Sequence, residues 1–133
     1  MLSENNISKN DIDYVGIATP GTADTDNGVV IYANNLPFRD YPIAAKLKEH
    51  FPVKKVAIAN DANAAAYGEA VAGAGAGKKN FVMLTLGTGV GGGIILDGKM
   101  VFGSGGLGGD IGHVVVNADE TLPCNCGQLG CLD

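Results

Sequence analysis

Three cysteines stand within eight residues of one another, as Cys124-Asn-Cys126-Gly-Gln-Leu-Gly-Cys131. Thiolates at this spacing, with glycines that let the backbone curl, are typical of a loop around a metal ion, and structural Zn²⁺ takes four tetrahedral nitrogen or sulfur ligands. The fourth ligand has to come from one of two histidines, His50 or His113. We expect His113, which ends a glycine-rich loop eleven positions before Cys124. The alternative is a set of three reduced, buried cysteines.

A neighbouring asparagine and aspartate, Asn60 and Asp61, stand where an apolar stretch gives way to an alanine-rich one. One interpretation is that they only cap a helix, as both residue types do. The other is that the positive field of the helix end keeps Asp61 ionised and directed away from the strand tip. Such a carboxylate can accept a proton from an alcohol that acts as a nucleophile.

The segment Gly87-Thr-Gly-Val-Gly-Gly92 matches the G-x-G-x-x-G pattern of dinucleotide-binding proteins. That fingerprint requires a following helix, whereas the residues after Gly92 indicate a strand, so this kind of site is disfavoured. What remains is a strand, a Gly-Thr-Gly turn and a second strand. The bare amides and the Thr88 hydroxyl of such a turn can hold phosphate oxygens. The glycines of residues 73–77 do not match a phosphate-binding P-loop and indicate a flexible joint.

Hydrophobic periodicity predicts the elements that position these residues. The first half is expected to hold three strands, an amphipathic helix opened by Pro42, and an alanine-rich helix from Asp61. The second half is expected to form a glycine-rich β-meander followed by the cysteine loop. The predicted strands are Tyr14–Thr19, Val29–Ala33, Val53–Ala59, Phe81–Leu86, Gly93–Leu96, Lys99–Phe102 and a strand near His113–Asn117. This order predicts an α/β protein with one lobe at residues 1–74 and the start of a second at 75–133.

The composition excludes several classes of protein. The 133 residues carry 9 Lys and Arg against 14 Asp and Glu, a net charge of -5, which argues against nucleic-acid and membrane-surface binding. No apolar run is long enough to span a membrane, and the N-terminal residues are polar. A hydrophobic share of 46% is enough for a packed core. Three cysteines are an odd number and favour a reducing, cytoplasmic setting.

Several segments together resemble the ROK family of sugar kinases and sugar-responsive repressors, which includes bacterial glucokinases. Their order and spacing carry the resemblance from about Ile12 to Asp133. The matching segments are Pro20-Gly21 with Asp24 and Gly28, Asn35-Leu-Pro-Phe38, Asn60-Asp-Ala-Asn-Ala-Ala-Ala66 with Gly68-Glu69, Leu86-Gly-Thr-Gly-Val-Gly-Gly-Gly93, Gly112-His113 and the cysteine loop.

The resemblance implies a ribonuclease-H-like, actin-like ATPase fold, of which this chain is a part. It implies that Asp61 is the base for a sugar hydroxyl that attacks the γ-phosphate of ATP, with Mg²⁺ required. It also implies a phosphate loop at Gly87, Thr88 and Gly89, and a structural zinc site. The zinc ligands would be His113, Cys124, Cys126 and Cys131, and the sugar contacts would be Gly21, Asn34, Asn60, Asp110, His113 and Asp133.

Two of these positions depart from the family. Asp110 and Asp133 stand where the family usually has Glu, and a shorter side chain retracts its carboxylate from a sugar hydroxyl. Which sugar binds is therefore left open.

The family's first phosphate loop, D-x-G-G-T, has no counterpart in this sequence. We therefore expect a segment from the middle of a kinase, without useful activity by itself and prone to form homo-oligomers. The alternatives are the sugar-sensing module of a ROK-type repressor and a zinc-stabilised fragment without sugar affinity.

Overall fold

The computed structural model describes residues 2–33 and 35–133, which form an α/β protein. They divide into two compact units, Met1–Asp61 and Ala62–Asp133. Short 3-10 helices cover Ser3–Asn5, Lys9–Asp11 and Ile111–His113. The strands are β1 (Tyr14–Thr19), β2 (Thr22–Asp24), β3 (Val29–Tyr32), β4 (Arg39–Tyr41), β5 (Lys55–Asn60), β6 (Phe81–Leu86), β7 (Val90–Leu96) and β8 (Lys99–Met100), and the helices are α1 (Ile43–His50) and α2 (Asp61–Ala72).

The first unit contains one parallel and one antiparallel sheet. Strands β1 and β5 pair in parallel, and their last residues, Thr19 and Asn60, are direct register partners. Strands β2, β3 and β4 form the antiparallel sheet. A small apolar core lies among β2, α1 and β5, where Ala23, Ala44 and Ile58 are buried. Because β1 and β5 run in the same direction, the segments that follow them emerge at the same edge of the sheet.

The second unit is organised around the antiparallel sheet β6-β7-β8. Strand β7 carries three consecutive glycines, and a Cβ on Gly93 would overlap the Cβ of Ala66 in α2. Ala66 itself is fully buried. Small residues on both elements therefore let the helix approach the strand closely. The cysteine loop closes back on the chain through the isolated bridges Val115–Cys131 and Pro123–Leu129.

Several element boundaries differ from the sequence prediction. Strand β5 spans Lys55–Asn60 instead of Val53–Ala59. Strand β7 already begins at Val90, because Gly91–Gly93 pair in extended conformation with Met83–Thr85. The strand expected near residues 113–117 is a 3-10 turn followed by a single bridge at Val115. Strands β2 and β4 were not predicted.

The chain divides into its two compact units between Asp61 and Ala62. The predicted boundary between two lobes, at residues 74/75, stays a prediction. Within the described residues, α2 is the longest helix at 12 residues, and no helix has the length and apolar character needed to cross a membrane.

Candidate functional site

In the first unit, the structure brings together two predicted sugar contacts that are 39 positions apart. The side-chain amide of Asn60 donates a hydrogen bond to the carbonyl oxygen of Gly21 at 3.1 Å. Gly21 follows β1 and Asn60 ends β5, so the parallel pairing of these strands is what makes them neighbours. Gly21 has a φ of 80°, and any Cβ there would collide with the carbonyl of Tyr32. The position therefore requires glycine.

Asp61 is the first residue of α2 and is exposed. It follows β5 directly, so its carboxylate lies at the positive end of a twelve-residue helix. A carboxylate is a side chain that can accept a proton from an alcohol, as a general base does.

Next to Gly21, the chain forms an open cavity of about 310 Å³. Its lining includes Tyr32 and Arg39, whose guanidinium carbon lies 4.6 Å from the centre of the Tyr32 ring. Phe38, also part of the lining, stacks on Tyr41 with ring centres 4.6 Å apart. The predicted contact Asn34 lies outside the described residues. Sequence reasoning assigned no role to Tyr32 and Arg39, although the neighbouring Asn35–Phe38 segment had marked the region.

In the second unit, the four predicted metal ligands converge. One donor atom from each of His113, Cys124, Cys126 and Cys131 lies within 4.8 Å of all the others. Cys124 Sγ is 3.5 Å from His113 Nδ1, and Cys126 Sγ is 3.6 Å from Cys131 Sγ. Tetrahedral Zn²⁺ with bonds of about 2.0–2.3 Å needs ligand atoms roughly 3.3–3.8 Å apart. The donor types therefore fit zinc, and the two distances of 3.5 and 3.6 Å lie in this range.

The protonation of the thiols depends on their surroundings. Burial, with the neighbouring Cys126 and Cys124 sulfurs adding to it, raises the pKa of Cys131 to about 12. The backbone N–H of Gln128 does the opposite at Cys126 and holds the pKa of that thiol below its usual range. All three cysteines, which lie in the described part of the chain, are free thiols. A cation among these sulfurs would favour their ionised forms, as it does for metal-bound thiols generally.

The predicted phosphate loop is an exposed turn between β6 and β7. All of Gly87, Thr88 and Gly89 are exposed, and the Gly87 amide donates to the Gly89 carbonyl at 3.0 Å. The next amide, that of Val90, donates to Asp133 Oδ1 at 2.6 Å. The amides of Gly87 and Val90 are therefore already hydrogen-bonded within the chain.

Two aspartates flank the histidine of the metal cluster. Asp110 Oδ1 lies 4.0 Å from Nε2 of His113, the ring nitrogen that faces away from Cys124. Asp133 Oδ2 lies 3.8 Å from Cys124 Sγ, and the Asp133 backbone N–H donates to the Gly112 carbonyl at 2.9 Å. These two aspartates, the metal cluster and the Gly87–Gly89 turn therefore lie close together in the second unit. The link through Val90 was not predicted, since it joins residues 43 positions apart.

These features define an α/β protein with an exposed carboxylate after a parallel strand and a Cys₃His cluster beside a glycine turn. The chain belongs to the ROK family, whose family model matches residues 1–133. It is 45% identical over 132 residues to a glucokinase of Halalkalibacterium halodurans, covering 99% of this chain and 40% of that protein. It is also 35% identical over 119 residues to a xylose repressor of Caldicellulosiruptor bescii, covering 90% of this chain and 29% of that protein.

A solved structure shares the same fold. It is a ROK family glucokinase from Streptomyces griseus in complex with glucose and AMPPNP, with a TM-score of 0.79 and 40% identity. The match covers 91% of this chain and 38% of that one. The chain thus spans about two fifths of the length of the glucokinases it matches.

Proposed function

We propose that the whole protein is an ATP-dependent sugar kinase of the glucokinase type, with the actin-like ATPase fold, that phosphorylates the 6-hydroxyl of a hexose or N-acetylhexosamine. The observation that carries this proposal is Asp61, an exposed carboxylate at the start of α2, directly after Asn60 with its hydrogen bond to Gly21. The similarity to glucokinases supports the same reaction.

In this proposal, the Asp61 carboxylate accepts the hydroxyl proton as the sugar oxygen attacks the γ-phosphorus of ATP. The bond between that phosphorus and the bridging oxygen breaks, and ADP leaves with the electron pair. Asn60, Gly21 and Asn34 are proposed as sugar contacts of the first unit. Because phosphoryl transfer depends mainly on positioning and charge stabilisation, a single well-placed base is enough side-chain chemistry for the step.

The second unit is proposed to bind phosphate and further sugar hydroxyls. The amides of the Gly87–Gly89 turn and the Thr88 hydroxyl are the phosphate donors, and Mg²⁺ accompanies ATP as in other phosphoryl transfers. His113, Asp110 and Asp133 are the proposed sugar contacts of this unit. His113 Nε2 and Asp110 Oδ1 lie 4.0 Å apart, so one hydroxyl group could contact both.

For the metal cluster we propose Zn²⁺, held by Nδ1 of His113 and the sulfurs of Cys124, Cys126 and Cys131. Bound there, the ion is structural and fixes the loop that carries His113. A cytoplasmic location agrees with the free thiols, and homo-oligomer formation stays a prediction.

The test is a sugar panel assayed with the full-length protein, ATP and Mg²⁺, with ADP release followed by a coupled assay and the product identified by ³¹P NMR. Glucose, mannose and their N-acetylamino counterparts form the panel. We expect a 6-phosphate from at least one sugar. The absence of ATP-dependent product from every sugar would contradict the proposal.

The variant Asp61→Asn tests the base. It preserves the size of the side chain but removes the proton acceptor, so kcat should fall by about 10²–10⁴-fold while sugar affinity is largely kept. Asp119→Asn, at an exposed loop carboxylate, is the matched control and should keep its rate. If Asp61→Asn retains most of its activity, the assignment of the base is wrong.

The second candidate is a sugar-sensing module of a ROK-type repressor, which the match to a xylose repressor favours. It predicts saturable sugar binding by calorimetry without any ADP release, and DNA binding by the full-length protein that changes when the sugar is added.

A further inference from the structure

The carboxylate of Asp133 is built into the glycine turn of the second unit. Its Oδ1 accepts the Val90 N–H at 2.6 Å, a short distance typical of a charge-assisted hydrogen bond. The same oxygen would lie 2.5 Å from a Cβ on Gly89, so the carboxylate packs where a side chain at Gly89 would be. Asp133 thus accepts a hydrogen bond from Val90 and packs against Gly89 at the end of the turn.

The backbone around Asp133 is anchored in turn by the segment that carries His113. The Asp133 N–H donates to the Gly112 carbonyl at 2.9 Å, and the Leu132 N–H donates to the Val114 carbonyl at 3.0 Å. Gly112 is buried against the carbonyl of Val90, with no space for a Cβ. Val90 is therefore held on two sides, by the Asp133 carboxylate and by Gly112.

We propose that Asp133 is a positioning residue for the phosphate-binding turn Gly87–Gly89 and links the conformation of that turn to the cysteine loop. The inference extends the function proposed above and depends on the turn binding phosphate. It adds to the sugar contact proposed above for this side chain, since Oδ1 accepts the Val90 N–H and Oδ2 is the other carboxylate oxygen. Asp133 is not a ligand of the phosphate, because its negative charge would repel one.

This geometry predicts different effects for two substitutions of Asp133. Asp133→Ala removes the acceptor, releases the Val90 amide and loosens the turn, so affinity for a triphosphate should fall on the order of tenfold, as expected for loss of one hydrogen bond to a charged group. Asp133→Asn keeps an oxygen acceptor at the same position and removes the charge. It should bind the nucleotide at least as tightly as the unaltered protein, since repulsion of the phosphates is relieved.

The experiment uses the full-length protein and two readouts. Titration with the ATP analogue AMPPNP gives Kd, and amide exchange of ¹⁵N-valine-labelled protein reports the hydrogen bond at Val90 without any need for activity. We expect faster Val90 exchange and weaker AMPPNP binding in Asp133→Ala, and neither change in Asp133→Asn. Leu132→Ala, which keeps the backbone bonds of the neighbouring residue, is the control for general loosening and should match the unaltered protein.

The outcomes separate the inference from the proposed function. Unchanged Val90 exchange in Asp133→Ala, or faster exchange with unchanged AMPPNP affinity, would overturn the positioning role. An equal loss of AMPPNP affinity in Asp133→Ala and Leu132→Ala would also overturn it. If Asp133→Ala and Asp133→Asn both weaken sugar binding and leave AMPPNP binding intact, Asp133 is a sugar ligand only, and its positioning role is wrong. If the unaltered protein binds no AMPPNP at all, the proposed kinase function fails, and the phosphate role of the turn fails with it.

Discussion

The side chain of Asn60 and the backbone of Gly21 are joined by a hydrogen bond of 3.1 Å, which ties together the segments that follow two parallel strands. Asn60 is partly buried and donates through its Nδ2 atom. A carbonyl oxygen can only accept hydrogen bonds, so the residue facing it must be a donor. Asparagine meets that requirement, whereas an ionised aspartate of the same shape does not.

Asn60→Asp should therefore lower the free energy of unfolding at pH 7 by about 1–2 kcal/mol, because two acceptors then face each other. Urea denaturation of the full-length protein measures the change. Asn10→Asp, the same substitution at an exposed position of the first unit, is the control and should have little effect. Equal stability of Asn60→Asp and the unaltered protein at pH 7 would show that this hydrogen bond contributes nothing.

The four-residue metal cluster gives a second prediction. Cys126→Ser replaces one soft sulfur donor by a hydroxyl, so zinc measured by elemental analysis should fall from about one equivalent per chain to less than roughly a tenth. The loop between residues 113 and 131 should then become more sensitive to proteolysis. Asn125→Ser changes the adjacent exposed residue and leaves all four donors in place, so it should retain the metal. Full zinc content in Cys126→Ser would exclude that cysteine as a ligand.

The sequence was informative wherever the signal was local. The change from an apolar, alternating stretch to a run of alanines marked the Asn60–Asp61 boundary, and the helix does begin at Asp61. The spacing of the cysteines and the scarcity of histidines were enough to select four residues whose donor atoms lie within 4.8 Å of one another. Both inferences needed only residues close in sequence, or a choice between two candidates.

Contacts between residues far apart in sequence could not be predicted in this way. Strand β4, with the sequence Arg-Asp-Tyr, lacks apolar alternation and forms because its backbone pairs with β3. Strand β7 begins three residues earlier than predicted, since glycines read locally as a turn and extend only through pairing with β6. The bond between Val90 and Asp133 spans 43 positions and depends on the closure of the cysteine loop. No pattern within either segment points to the other.

A pair of glycines tests how α2 packs on β7. At Gly93, an added methyl group would overlap the Ala66 side chain and lie 3.4 Å from the Ala62 carbonyl oxygen. Ala66 is fully buried. Gly93→Ala should therefore destabilise the protein by about 1–3 kcal/mol. Gly68 lies within α2 on an exposed face, with nothing within 4 Å of an added Cβ.

Gly68→Ala should accordingly stabilise the protein by about 0.5–1 kcal/mol, since alanine restricts the unfolded chain and favours the helix. Both values come from chemical denaturation under the same conditions. The opposite signs are the test, because a general intolerance of added methyl groups would destabilise both variants. A stable Gly93→Ala would mean that the helix and strand are not in close contact.

The turn between β2 and β3 gives a prediction about pH. The Asp24 carboxylate accepts hydrogen bonds from the side-chain amide of Asn27 at 2.7 Å, the Asn27 backbone N–H at 3.0 Å and the Asp26 N–H at 3.1 Å. The Asn27 side chain, followed by these backbone donors, holds the pKa of Asp24 below its ordinary value. Since the folded state binds this proton less readily than the unfolded state, the ionised carboxylate stabilises the fold.

That stabilisation is complete well above the ordinary aspartate pKa of about 3.9 and is lost as the pH falls through the lower pKa of the folded state. Asp24→Asn removes the titrating group, so the variant should be less stable than the unaltered protein at pH 7. The gap should close as the pH falls from about 5 towards 2, measured as the difference in urea midpoints across that range. Asp26→Asn keeps the backbone N–H that donates to Asp24 and serves as the control. A gap between Asp24→Asn and the unaltered protein that stays constant with pH would mean that the hydrogen bonds to Asp24 do not depend on its charge.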